Sequence, residues 1–180
     1  GLEVAAVAVT AGLEVTVVEV AARVMARVVG PPVSQFYLQA HQQAGVRFLL
    51  GAGVAGIRSD GDGVTVACTT GAELPADLVV VGVGILPATA LAEGAGLECS
   101  NGIVVDEFCR SSDPDIYAAG DCTSHPNRLL GRRLRLESVH NATEQGKTAA
   151  LDILGKAEAY AQVPWFWSDQ YDLKLQMTGI

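Results

Sequence analysis

A single carboxylate, Asp121, follows a short apolar run in the segment SSDPDIYAAGDC, residues 111–122. This run predicts a strand over residues 116–119 that ends abruptly at Gly120. Small residues leave room there for a bulky group, and an acid placed just after a buried strand suits holding a ligand hydroxyl. The alternative from these residues alone is that Asp121 caps a turn or a helix.

A second acid, Glu19, ends a predicted strand over residues 13–19, which follows a predicted helix over residues 2–11. In a dinucleotide-binding βαβ unit, the second strand ends in an acid that hydrogen-bonds the adenine ribose. The negative charge would oppose a 2′-phosphate and so favour NADH over NADPH. Only Gly1 stands where the last glycine of the fingerprint belongs, so the signal is incomplete. The alternative is an ordinary strand-end charge.

A third candidate feature is the start of a predicted helix that runs to about residue 154. It begins near Ser138 or Asn141, and its free N–H groups would suit an electron-rich oxygen or a reduced, anionic ring. A bare amphipathic helix is the alternative. The nearby aromatic cluster, Trp165 to Trp167, indicates core or interface packing by default.

The elements that position these features are predicted from apolar periodicity and turn residues. Further helices are expected over residues 33–44 and 89–95, and further strands over 46–50, 54–59, 64–69, 103–107 and, from the alternation of Tyr171, Leu173, Leu175 and Met177, at the end of the chain. The Asp-Gly-Asp-Gly sequence at 60–63 predicts a hairpin turn. The run LVVVGVG, residues 78–84, predicts a fully buried strand whose Gly82 and Gly84 open space at its carboxyl end. His41 is predicted to lie on a helix surface.

Composition supports an α/β protein and excludes several classes. The 180 residues are 49% hydrophobic with 20 glycines, and the net charge of −8 argues against general nucleic-acid binding. No apolar run approaches the ~20 residues of a membrane span. The four cysteines form no close pair, so we expect no metal site or redox disulfide and a cytosolic (cytoplasmic) setting with reduced thiols. The chain begins without Met inside a helix, and we expect it to be an internal piece of a longer protein.

Taken in order, six segments resemble the FAD-dependent pyridine nucleotide-disulfide oxidoreductases, and within them the ferredoxin reductase branch of putidaredoxin and rubredoxin reductase type. These segments are GLEVAAVA, VTVVE, ADLVVVGVGILPAT, SSDPDIYAAGDC, RLESVHNATEQGKTAA and PWFWSDQYDLKLQMTG. The resemblance implies an α/β fold with parts of two Rossmann-like, three-layer FAD/NAD(P)-binding domains. It implies an NAD(H)-binding domain over residues 1–86, the C-terminal part of the FAD-binding domain over 87–160, and the start of a C-terminal α+β interface domain over 161–180.

The resemblance also implies which residues meet the cofactors. Those for FAD are Gly120 and Asp121, with Asp121 on the ribityl chain; Val139 by its backbone at the flavin ring, with Glu137 and Ser138 beside it; and an aromatic, Trp165 or Trp167. Those for NAD are Gly1, Glu19 at the ribose, and Gly82, Val83 and Gly84 along the nicotinamide path.

The implied activity is an FAD-dependent NADH:ferredoxin or rubredoxin oxidoreductase, in which a hydride passes from NADH to FAD and single electrons pass to an iron–sulfur protein feeding an oxygenase. The implied partner is a [2Fe–2S] ferredoxin or a rubredoxin. Ferredoxins are usually acidic, so they would dock on the local basic cluster of Arg128, Arg132, Arg133 and Arg135. An exposed loop without docking function is the alternative for these arginines. Alternatives for the whole are an NADH-responsive signalling flavoprotein, like the apoptosis-inducing relatives, or the flavin module of an NADH nitrite reductase.

Overall fold

The computed structural model describes residues 1–59, 61 and 63–180. In chain order the elements are α1 (Leu2–Thr10), β1 (Thr16–Glu19), α2 (Pro31–Gln43), β2 (Arg47–Leu50), β3 (Val54–Ser59), β4 (Val64–Cys68), β5 (Glu73–Ala76), α3 (Ala90–Gly94), β6 (Ile103–Val104), β7 (Thr123–Asn127), β8 (Arg132–Leu134), α4 (Val139–Ile153), β9 (Trp165–Gln170) and β10 (Leu173–Thr178). The chain divides into two compact units, Gly1–Val83 with Asp169–Lys174, and Gly84–Ser168 with Leu175–Ile180. The predicted domain boundaries stay predictions.

The first unit combines a parallel strand pair with an antiparallel sheet. Strands β1 and β2 run parallel, and Glu19 is paired with Leu50 at their carboxyl ends. The antiparallel sheet has the order β3-β4-β5. The predicted strands at 54–59 and 64–69 are confirmed, whereas residues 60 and 62 of the predicted turn lie outside the described residues. Strand β5 was not predicted, because it contains Pro75; a proline is tolerated there since β5 lies at the sheet edge.

The predicted buried strand over residues 78–84 is wrong. These residues form no helix or strand, and several of their apolar side chains face solvent; Val83 is 84% exposed. A continuous apolar run becomes a central strand only when other strands hydrogen-bond to its edges, and no strand of the described residues pairs with it. Helix α1 lies at the predicted position, and it also exposes apolar side chains. Val7 is 71% exposed, and only Ala5 and Ala6 are buried.

The surface position predicted for His41 is also wrong. Its side chain is 0% exposed. Its Nε2 donates to Gln170 Oε1 at 2.8 Å, and its Nδ1 accepts from the Tyr171 hydroxyl at 2.8 Å. Both partners lie about 130 residues further along the chain, so local helical periodicity gave no sign of them.

The second unit contains a three-stranded sheet and the long helix α4. The sheet order is β6-β7-β8, with β6 parallel to β7 and β8 antiparallel to it. The predicted strand at 103–107 is reduced to the two residues of β6, and much of the predicted arginine-rich loop is the β7–β8 hairpin. The predicted strand over 116–119 is wrong, because only an isolated bridge between Arg110 and Tyr117 forms there. Strands β9 and β10 form a separate two-stranded sheet, which confirms the alternation predicted at the end of the chain.

A buried carboxylate fixes the segment before Asp121 to α4. The Asp152 side chain is 1% exposed and receives Arg110 Nε and Nη2, each at 2.6 Å, and the Tyr117 hydroxyl at 2.6 Å. The hydrogen bonds from Arg110 and Tyr117 hold the pKa of Asp152 below its ordinary value. The path from Arg110 to Tyr117 is therefore set by an ion pair, which takes the place of the predicted strand.

Of the helices that the structure describes, none is both long and apolar enough to cross a bilayer.

Candidate functional site

The turn that carries Asp121 is fixed to α4 by Gln145. Gly120 is buried, and its N–H donates to Gln145 Oε1 at 2.7 Å. The Thr123 hydroxyl lies 2.8 Å from both Gln145 Oε1 and the Gly120 carbonyl oxygen. Gly120 has φ +93°, which L side chains rarely adopt, and a Cβ there would lie 3.5 Å from Ala142 Cβ. The positive φ therefore favours glycine at this turn, while the distance to Ala142 is an ordinary van der Waals contact.

The Asp121 carboxylate itself faces solvent. Among the described residues it takes part in no hydrogen bond, so it caps neither the turn nor α4. Its neighbours in the turn are all held, whereas its two oxygens keep their full capacity to accept hydrogen bonds. The structure therefore provides a rigidly placed backbone with a carboxylate open to a ligand.

Helix α4 begins beside this region and is capped by Ser138. The Ser138 Oγ accepts from the Asn141 N–H at 3.1 Å, which decides between the two predicted starts. Asn141 is buried and links two segments by hydrogen bonds. Its Nδ2 donates to the Leu136 carbonyl at 3.3 Å, and its Oδ1 accepts from the Tyr160 hydroxyl at 2.9 Å. Burial raises the pKa of Tyr160 to about 12, so its hydroxyl keeps its proton. Val139, which opens the helix, is 64% exposed, and the first N–H groups have no partner within the helix.

The two tryptophans are both close to the start of α4, in different degrees. Their rings stack with centroids 5.0 Å apart and planes at 30°. Trp165 also meets the His140 ring edge-on at 6.0 Å and 84°, whereas Trp167 is 42% exposed. Trp165 is therefore the ring next to the helix start, and the Trp167 ring stacks on the Trp165 ring.

Two buried nitrogens on α4 have no hydrogen-bond partner among the residues that the structure describes. They are His140 Nδ1 and Gln145 Nε2, and Gln145 is 0% exposed. Buried polar groups in folded proteins normally have partners, supplied by the protein, by water or by a ligand. These two donors or acceptors lie on the same helix that receives the Asp121 turn and the tryptophan pair, as expected for the lining of a binding site.

Arg135 joins three segments of this region and was not predicted to do so. Its Nη2 donates to Glu137 Oε1 at 2.8 Å, its Nη1 to the Asp121 carbonyl oxygen at 3.3 Å, and its Nε to Asn101 Oδ1 at 3.2 Å. The side chain is only 12% exposed. From the sequence it was grouped with Arg128, Arg132 and Arg133 as a basic cluster that would dock an acidic ferredoxin, and that docking role stays a prediction.

The other three arginines of that cluster differ in their surroundings. Arg133 donates to the carbonyl oxygens of Val105 and Ser124. Arg128 lies 3.6 Å from Glu107 Oε1 and is 65% exposed, and Arg132 is exposed. The four therefore do not act as equivalent surface charges.

The residues predicted for NAD lie mainly in the first unit. Gly1 is the N-cap of α1, and a Cβ on Gly82 would lie 3.7 Å from Gly1 N, so these two backbones come together at the start of the helix. Glu19 ends β1, and its Oε1 accepts from the Ala21 N–H at 2.8 Å. Val83 is exposed, and Gly84 has φ +103°.

Comparison with known proteins decides the family. Residues 1–146 match the pyridine nucleotide-disulphide oxidoreductase family, and residues 165–180 match the reductase C-terminal family. The chain belongs to the pyridine nucleotide-disulphide oxidoreductase family. Its α/β fold, with FAD- and NAD-binding oxidoreductases as structural neighbours, confirms the fold class expected from the sequence.

Relatives within this family are ferredoxin reductases. The chain is 47% identical to putidaredoxin reductase of Pseudomonas putida and 45% identical to rhodocoxin reductase of Rhodococcus erythropolis, with the whole chain aligned to 43% and 42% of those proteins. The crystal structure of the ferredoxin reductase for the CYP199A2 system of Rhodopseudomonas palustris matches with a TM-score of 0.95 at 47% identity, over 99% of this chain and 45% of that one. The covalent putidaredoxin reductase–putidaredoxin complex matches with a TM-score of 0.94 at 46% identity, over 99% of this chain and 44% of that one. The chain thus spans less than half the length of these relatives.

Proposed function

We propose that this chain serves an FAD-dependent reductase that oxidises NADH and delivers single electrons to a ferredoxin or rubredoxin. The observation that carries the proposal is the Asp121 carboxylate, open to a ligand on a turn that Gln145 fixes to α4. When bound, FAD accepts a hydride from NADH and releases its electrons one at a time to the iron–sulfur protein. The chain supplies the surroundings in which this chemistry takes place.

The residues around α4 fit a flavin nucleotide. Asp121 would accept hydrogen bonds from the ribityl hydroxyls, and the turn at Gly120 leaves no side chain in the way. The N–H of Val139, at the positive end of α4, would face an electron-rich part of the flavin, with Glu137 and Ser138 beside it. Trp165 and Trp167 would form an apolar wall that limits water access. The two unpartnered nitrogens of His140 and Gln145 support this assignment.

The first unit fits NADH. Gly1 and Gly82 would let the dinucleotide approach the backbone closely at the start of α1, and Val83 and Gly84 would continue that path. Glu19 would bind the adenine ribose. Arg23, the first cation after Glu19, is held by the carbonyl oxygens of Ala26 and Val29 at 2.8 and 2.7 Å, so its guanidinium is already engaged. This arrangement favours NADH, because a 2′-phosphate would meet the Glu19 carboxylate instead of a free guanidinium.

An acidic [2Fe–2S] ferredoxin or a rubredoxin is the partner that we propose. A relative of 46% identity was crystallised as a covalent complex with putidaredoxin. Arg128 and Arg132 have exposed side chains and would steer an acidic protein, with Arg133 adding its charge from a fixed position. Electrons leaving through this partner would feed an oxygenase.

The test uses the protein expressed from its full reading frame, purified with its flavin. NADH should bleach the flavin absorption, and a plant-type or bacterial [2Fe–2S] ferredoxin should then be reduced, as seen in its visible spectrum. A rubredoxin and nitrite are tested in parallel as acceptors. Rapid bleaching without reduction of any iron–sulfur protein would contradict the proposal and favour a signalling flavoprotein, and nitrite reduction would favour the nitrite reductase alternative.

Replacement of Glu19 by alanine is expected to weaken NADH binding by about 1–2 kcal/mol, because the ribose hydroxyls lose a charged acceptor. The affinity for NADPH should fall less or rise, since the charge that opposes its 2′-phosphate is removed. Steady-state KM values for both nucleotides measure the effect. Glu14→Ala serves as the control, because Glu14 precedes β1 and its side chain is 94% exposed. Equal losses for NADH and NADPH, or a wild-type preference for NADPH, would contradict the assigned role.

A further inference from the structure

We propose that Arg135 is a positioning residue of the flavin site and takes no direct part in docking the electron acceptor. The inference rests on the proposed function, because it assigns a role within the FAD site. Arg135 is one of the four arginines predicted to dock the ferredoxin, and the inference gives it a role different from that of the other three.

All three contacts of Arg135 are made within its own unit. The guanidinium reaches one acceptor in each of three segments: Asn101 in the turn before β6, Asp121 in the turn before β7, and Glu137 just before α4. With 12% of its side chain exposed, it offers little surface to a protein partner, whereas Arg128 is 65% exposed. A residue that docks a partner by charge would keep its guanidinium in solvent.

The geometry of these contacts requires a guanidinium. Its five N–H donors lie in one plane in a fixed fork, so Nε, Nη1 and Nη2 can each serve a different acceptor. An ammonium group is a compact charge on a flexible stem and cannot reach three separated acceptors in one plane. Lysine at this position would keep the charge and lose most of the arrangement.

What the arrangement holds is the relative placement of Asp121 and Glu137. Arg135 binds Asp121 through its backbone carbonyl, which leaves the carboxylate open, and it binds Glu137 through its carboxylate. Gln145 fixes the other side of the same turn through the Gly120 N–H. The Asp121 turn is thus held from both sides, and removal of Arg135 would free the side that faces the start of α4.

Positioning and docking predict different outcomes for a change that keeps the charge. The protein expressed from its full reading frame is compared as wild type, Arg135→Lys, Asn101→Gly and Arg132→Gln. Asn101 has φ +49°, a conformation that glycine adopts freely, so its replacement removes one anchor of Arg135 without adding strain. Arg132 is the matched control, an exposed arginine that begins β8, the strand that Arg135 follows.

The readouts are the dissociation constant of FAD from the apoprotein, by flavin fluorescence quenching, and the visible circular dichroism of the bound flavin. We expect Arg135→Lys to weaken FAD binding about tenfold, Asn101→Gly to weaken it about threefold, and Arg132→Gln to leave it unchanged. The flavin circular dichroism should change in Arg135→Lys, which a loss of stability alone would not cause. The KM for the ferredoxin should rise in Arg132→Gln and stay near the wild-type value in flavin-saturated Arg135→Lys.

Unchanged FAD affinity and flavin circular dichroism in Arg135→Lys would overturn the inference, as would a ferredoxin KM that rises in flavin-saturated Arg135→Lys. If Arg135→Lys fails to fold, Asn101→Gly decides, because unchanged FAD affinity in that variant overturns the inference and a weakened affinity supports it. Failure of the proposed function is a different result: the wild-type protein would then bind FAD and be bleached by NADH but reduce no iron–sulfur protein, and the FAD affinities of the variants would still decide the role of Arg135.

Discussion

Asp121→Ala is expected to weaken FAD binding by about 10- to 100-fold, the largest loss of affinity predicted for a single side chain of this site. A hydrogen bond to a charged group contributes about 1.5–3 kcal/mol, which corresponds to this range of dissociation constants. The exposed carboxylate accepts no hydrogen bond from a described residue, so we expect its removal to leave the fold intact and its effect to fall on the ligand. Asp121→Asn keeps the shape and one acceptor oxygen and should give a smaller loss.

The measurement is the dissociation constant of FAD from the apoprotein, together with a urea unfolding curve of the apoprotein to check that stability is unchanged. Asp115→Ala is the matched control, because Asp115 is an exposed acid of the same segment that contributes only its backbone N–H, to Asp113 Oδ1. A loss of FAD affinity that is equal in the Asp115 and Asp121 variants would assign the effect to the general charge of the segment. No loss in either variant would remove Asp121 from the site.

The parts of the fold that sequence predicted well depend on local signals. Helix α4 begins where a serine precedes an apolar period, and its Ser138 cap follows the rule that a hydroxyl satisfies a free N–H of the first turn. Strands β3 and β4 lie where residues alternate on both sides of a Gly-rich turn. Such signals depend on a few neighbouring residues, so the elements that they predict form independently of pairing with distant parts of the chain.

The wrong predictions depend on partners that are far away in sequence. Residues 78–84 have the composition of a buried strand, yet a strand exists only through hydrogen bonds to another strand, and none of the described strands supplies them. His41 has the spacing of a helix-surface residue, yet the turn after β9 buries it. In both cases the residue type was compatible with two environments, and long-range pairing decided between them.

The site shows the same division. Asp121 and Ser138 were singled out from local signals, an acid after a short apolar run and a serine before a helix; the Ser138 cap is confirmed, and the role of Asp121 stays a prediction. The contacts of Gln145 and Arg135 were not predicted, because a buried amide and a bridging guanidinium depend on hydrogen-bond partners that lie between 2 and 34 residues away. The charge pattern did not reveal the contacts of Arg135, since this residue shares its spacing with the exposed Arg132.

A loss of stability in acid is expected from His125, a buried residue of β7 outside the candidate site. It is 1% exposed, and its ring packs edge-on against Tyr160 at 5.1 Å. Within the described part of the chain, neither of its ring nitrogens has a hydrogen-bond partner. Burial, with a smaller contribution from the nearby Arg133 charge, lowers its pKa from 6.5 to about 4. The unfolded chain therefore binds a proton at a higher pH than the folded chain does, and stability falls as the pH drops from about 6.5 to 4.

Replacement of His125 by phenylalanine should remove this pH dependence. The wild type should lose about 2–3 kcal/mol more than His125→Phe between pH 7 and pH 4.5, because only the wild type carries an imidazole whose pKa falls from 6.5 to about 4 on folding. Urea unfolding at the two pH values measures it. Phenylalanine keeps the edge-on contact with Tyr160, and His125→Asn provides a second non-titrating variant in case the larger ring strains the sheet. An acid-induced loss that persists in both variants would show that carboxylates, and not the buried imidazole, set the acid limit of this unit, because protonation of His125 is the one step that both substitutions abolish.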